Sequence, residues 1–117
     1  LKQMAEDHNV LILNHFPLIC NEAPEKGLKR SEALCDLIKE FPQVHLYLHG
    51  HTHRHCIADL RQSGLPIILD SGSIIEKKTG SWNLIELHEK EFWVESFKII
   101  NHNWKPVSRS YFKVNNV

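Results

Sequence analysis

Leu46-Tyr47-Leu48-His49-Gly50-His51-Thr52-His53-Arg54 is the stretch on which the reading of this chain turns. Its first half, taken back to Val44, reads as a buried strand of about five residues. Gly50 follows directly and is expected to let the backbone leave the strand through a conformation that other residues disfavour. His51 and His53 are then expected to project from a tight loop in two distinct directions.

Upstream lies a second apolar run, Val10-Leu11-Ile12-Leu13, short and continuous as in a central strand covered on both faces. It ends at Asn14-His15-Phe16-Pro17, where proline cannot donate to a ladder. Leu1 to His8 has helical residue types, and residues 18–30 (LICNEAPEKGLKR) read as a long connection. Ser31 is expected to cap the next helix, with Glu32 favourably placed in its first turn. Leu34, Leu37, Ile38 and Phe41 form an apolar stripe on that helix, and Pro42 ends it. Strand, helix, strand in this order implies a parallel βαβ unit.

Downstream the pattern changes. Cys56 to Leu60, Pro66 to Leu69, Trp82 to Leu87 and Phe92 to Phe97 read as short strands separated by turn residues. The last two are joined by His88-Glu89-Lys90-Glu91, a hairpin, and a final strand is expected at Tyr111-Phe112-Lys113-Val114. The chain thus moves from alternating α/β to an antiparallel run, within one domain or one part of a larger one spanning 1–117.

Composition narrows the function classes. At 117 residues, 42% hydrophobic and 24% charged, the chain suits one small domain with a single core. Fourteen basic residues balance fourteen acidic ones, so no overall field points to nucleic acid or to an anionic membrane. Cys20, Cys35 and Cys56 are odd in number and lack C-x-x-C spacing, as expected of reduced, mostly buried thiols in a cytoplasmic protein. No apolar run approaches the roughly 20 residues of a membrane span, and no signal peptide is visible. The opening at Leu1 resembles the tail of a helix, so a fragment is expected, with a signal or anchor upstream left open.

Histidine is the compositional oddity: of nine, five fall between His45 and His55. Open α/β sheets place ligand sites beyond the carboxyl ends of their strands, where loops converge. His15 follows the first strand; His51 and His53 follow the second. In a right-handed βαβ unit those ends lie side by side. Neutral imidazole is a good ligand for zinc, manganese or iron. Each histidine also has a plainer reading, as a hydrogen-bonded loop residue. His45, His49 and His55 read as solvated groups or as residues that orient a neighbouring ligand.

The stretch Leu46 to Arg54 resembles the glycine-histidine-x-histidine signature of the calcineurin-like metallophosphoesterases. Val10 to Pro17 resembles the strand-plus-histidine motif that precedes it in that family, and Asp70-Ser71-Gly72-Ser73 resembles the family's downstream glycine-serine turn. The resemblance implies a β-sandwich flanked by helices, of which this chain would be the C-terminal half. It implies two divalent ions (manganese, iron or zinc), with His15 and His51 on the second and His53 on the first. Two ions roughly 3.5–4 Å apart clamp a phosphoryl group and generate a nucleophile near neutral pH. His49, Asn14 and Arg54 would support the ligands or touch substrate.

The family's aspartate-x-histidine, glycine-aspartate and glycine-asparagine-histidine motifs are absent from the sequence. The bridging carboxylate and remaining ligands are therefore expected in an upstream half of the same domain, and no catalytic group is assigned in this chain. The expected function is metal-dependent hydrolysis of a phosphodiester or nucleotide-linked substrate, with little activity from the 117 residues alone. Two alternatives stand beside it. One is a non-catalytic binding module on a phosphoesterase scaffold, with a partner surface around Trp82, Phe92 and Trp93. The other is a single structural zinc held by Cys56 and the histidines.

Overall fold

The computed structural model describes residues 1, 3, 8–19 and 28–114. The strands are β1 (Val10–Leu13), β2 (Val44–His49), β3 (His55–Asp59), β4 (Ile67–Ser71), β5 (Ser81–Leu87), β6 (Glu91–Ile100) and β7 (Asn103–Lys113), and helix α1 is Ser31–Lys39. The Leu1 to His8 segment and the 18–30 connection lie in large part outside the described residues, as does Cys20.

β1 and β2 pair in parallel, as strand-helix-strand order implies. The next step departs from the expected antiparallel run. β4 lies parallel to β2, and β3 lies antiparallel on its far side, giving the order β1-β2-β4-β3. Pro66-Ile67-Ile68-Leu69 explains the insertion: all four residues are buried, so they belong at the middle of a sheet. The loop between β2 and β3 must therefore cross the end of β4.

Period-two alternation assigns the two faces. Tyr47 and Ile68 point to the α1 side, where they join Val10, Leu18, Ile38, Val44 and Leu65. Leu46, Ile67 and Leu69 point the other way and pack against Phe92 and Val94 of the second sheet, β5-β6-β7. The result is helix on sheet on sheet.

Several local expectations are corrected. The residue before α1 is Arg30, in the left-handed region (φ 61), with no side-chain cap, so Ser31 is the first helical residue and not the cap. Leu37 in the apolar stripe faces outward, and Cys35 packs inward in its place. Cys56 is exposed on edge strand β3, so the thiols are not mostly buried. β7 begins at Asn103, well before the expected Tyr111, because Asn101 and His102 both take positive φ (51 and 64) and turn the chain back along β6. Phe92 is core, whereas Trp82 stacks on Phe97 and Trp93 packs on Tyr111 on the opposite face of that sheet. No helix among the described residues is long and apolar enough to cross a membrane.

Candidate metal centre

The carboxyl ends of β1 and β2 bring His15 and His51 together, although 36 residues separate them. His15 Nε2 lies 3.2 Å from His51 Nδ1, with the rings at 74°. Phe16 packs against both imidazoles. The His15 turn is fixed from below: Gly50 N–H donates to the His15 carbonyl, and the Tyr47 hydroxyl donates to the Phe16 carbonyl at 2.8 Å. Burial pushes the Tyr47 phenol up to about 12, so it remains a donor throughout the physiological range.

Two nitrogens 3.2 Å apart subtend about 100° at an ion about 2.05 Å from each, close to a tetrahedral ligand angle. By separation alone, the pair matches two ligand positions on one ion. The same separation serves an N–H···N bond when one ring carries the proton.

His53 stands apart from that pair. Its Nδ1 lies 3.6 Å from Glu76 Oε1, and both side chains are about half exposed. Among the described residues no group of three histidine, cysteine or acidic side chains is arranged to hold an ion. Of the supporting residues expected, His49 is half-buried with its side chain 7% exposed, its Nδ1 2.9 Å from the Gly50 carbonyl and 3.7 Å from Asp70 Oδ2. The Asn14 side chain is occupied locally, accepting the Phe16 N–H at 3.0 Å. Arg54 is exposed at the loop's end. His45 packs away from this loop beside Asn9, and His55 bonds Asn83 at 2.7 Å. A cleft of about 460 Å³ opens between the two sheets, lined by Asn14, His15, His49, Gly50, Ser71 and Asn83 among others.

The loop achieves its shape differently from expectation. Gly50 is not among the positive-φ residues, and a Cβ there would meet nothing within 4 Å. The left-handed positions are His51 (φ 71) and His53 (φ 59). For residues with a Cβ these conformations lie uphill and persist only where surroundings hold them. Between them stands Thr52, tied to Asp70, a residue the sequence did not single out for the site. Asp70 is 2% exposed, accepting from the Thr52 hydroxyl through Oδ2 and from Gly72 N–H through Oδ1. An acid closing the apolar run Ile67-Ile68-Leu69 was the available signal.

No family model matches the chain. No curated protein sequence matches it. Among solved structures it is similar to Vps29. A double mutant of Vps29 from Entamoeba histolytica aligns at 17% identity with a TM-score of 0.53, covering 79% of this chain and 51% of that one. The likeness is to the fold of Vps29, a mixed α/β arrangement with few helices. Vps29 from Cryptosporidium parvum matches at 15% identity and a TM-score of 0.53, over 79% of this chain and 45% of that one. Wild-type Vps29 from Entamoeba histolytica, complexed with Zn2+, matches at 17% identity and a TM-score of 0.50, over 81% and 52%. The chain thus spans about half the length of the solved structures it matches, and at such identity the likeness concerns the fold alone.

Proposed function

We propose that this chain supplies imidazole ligands to a divalent metal centre that hydrolyses a phosphoester, of phosphodiester or nucleotide-linked type. In this reading it is the C-terminal portion of a calcineurin-like metallophosphoesterase domain. One observation carries the reading: His15 and His51, at the ends of adjacent parallel strands, present ring nitrogens at a separation suited to one ion. Zinc, manganese and iron all suit such nitrogen donors. Bound there, the metal would supply positive charge to phosphoryl oxygens and acidify a water nucleophile. His15 and His51 bind it, and the cleft beside them admits substrate. His53 would have to leave Glu76 to join the centre, and the remaining ligands would come from an upstream half of the domain. The free thiols of Cys35 and Cys56 accord with a cytoplasmic setting.

The test is turnover of a chromogenic phosphodiester with manganese. A chain extended upstream is expected to be active, the 117 residues alone to have little or no activity, and His51→Ala or His53→Ala in the extended chain to abolish it. Near-normal turnover by either variant overturns the ligand assignment. The second reading, a non-catalytic binding module on the same scaffold, is favoured by the absence of a three-donor group among the described residues. It predicts an extended chain without turnover. A structural zinc through Cys56 has less support, since that thiol is not gathered with the histidines into any such group.

A further inference from the structure

The side chains beneath the histidine loop form a chain of contacts that the metal-centre reading does not use. Asp70 pairs in register with His49 at the end of β2 and with Cys56 near the start of β3. Its carboxyl group therefore sits under the loop of residues 50–54, which joins those strands across the end of β4. Oδ1 is held by Gly72 N–H at 2.9 Å, and Oδ2 receives the Thr52 hydroxyl.

Thr52 is fixed on three sides. Its hydroxyl donates to Asp70 and accepts from Arg54 N–H at 3.2 Å, and its own N–H donates to the Gly50 carbonyl at 2.9 Å. The residues immediately before and after it, His51 and His53, are the two held in left-handed backbone. Conformations that lie uphill in this way are retained only where neighbouring contacts over-determine them, and they gather at functional sites. The Thr52 side chain is tied to a buried strand group, Asp70.

We propose that Asp70 is a positioning residue for metal: through the Thr52 hydroxyl it holds His51 in the backbone geometry that aims its imidazole at His15. The inference rests on the metal-centre reading above. The His15 turn has one anchor outside the loop, the Tyr47 hydroxyl on the Phe16 carbonyl, and one within it, Gly50 N–H on the His15 carbonyl. Loss of the Asp70–Thr52 bond frees His51, the next residue after Gly50, more than it frees the His15 turn. Residues that orient ligands without touching the ion characteristically change metal affinity by roughly 10–100-fold.

The experiment is a zinc titration of the 117-residue chain followed by NMR of the histidine ring protons, with thermal unfolding measured in parallel without metal. Zinc is expected to shift the His15 and His51 rings together, and His51→Ala to abolish the His15 response. Thr52→Val and Asp70→Asn are expected to weaken zinc binding at least about tenfold, while Thr52→Ser, which keeps the hydroxyl, stays within about threefold of the parent. If Asp70→Asn does not fold, the Val and Ser pair at Thr52 decides the matter. Parent-like zinc affinity in Thr52→Val overturns the positioning role while leaving the metal reading intact. Equal losses in Thr52→Val and Thr52→Ser, tracking lowered unfolding temperatures, also overturn it. A parent chain whose His15 and His51 rings ignore zinc overturns the metal reading and this inference with it.

Discussion

Gly72→Ala isolates the turn that presents Asp70. Gly72 has φ +74, and a Cβ built there collides with the Ser81 hydroxyl, with the His55 backbone nitrogen at 3.3 Å. Alanine in the left-handed region costs about 1 kcal/mol. The displaced Ser81 hydroxyl now donates to the Ser71 carbonyl at 2.8 Å, and Ser81 is 2% exposed. Breaking that buried bond adds about 1–2 kcal/mol, so the expected loss is about 2–3 kcal/mol. That is a large share of the roughly 5–15 kcal/mol by which domains are stable. Urea unfolding followed by tryptophan fluorescence measures it. In a Ser81→Ala background the collision with the hydroxyl is gone, so Gly72→Ala should cost only the backbone component, about 1 kcal/mol. A loss below about 0.5 kcal/mol, or one undiminished in the Ser81→Ala background, refutes the reasoning.

Phe92→Ala removes the largest fully buried side chain of the layer between the two sheets, where it is 1% exposed against Leu46, Ile67 and Leu69. It should destabilise by about 3–5 kcal/mol in the same urea assay, and a cost under about 1 kcal/mol would contradict the packing described. His45 is held below its ordinary value, first by burial and then by the Arg61 charge. Its unfolded form takes up protons more readily, so its contribution to stability is present above about pH 6.5 and is lost as pH falls from there through the lower folded value. His45→Gln should flatten stability against pH in that window, and an unchanged slope would count against the assignment.

The parallel pairing of β1 with β2 could be read from two apolar runs flanking one amphipathic stripe, because a crossover helix leaves few other topologies. The nearness of His15 to His51 followed from the same pairing. The insertion of β4 between β2 and β3 could not be read in this way, since Pro66 to Leu69 is equally compatible with a sandwich edge until its neighbours are known. The loop conformation was misassigned for a related reason. Glycine is the usual residue at a left-handed turn, but here the two left-handed residues are His51 and His53, on either side of Thr52, whose hydroxyl donates to Asp70. Likewise the Glu76 partner of His53 lies 23 residues downstream, beyond the reach of any local pattern.

The central claim, that His15 and His51 are ligands of one ion, is tested most directly by calorimetric titration of zinc into the 117-residue chain at neutral pH. One zinc per chain is expected, with His15→Ala and His51→Ala each removing the binding and His45→Gln leaving it unchanged. Equal zinc binding by the parent and by both ligand variants would contradict it.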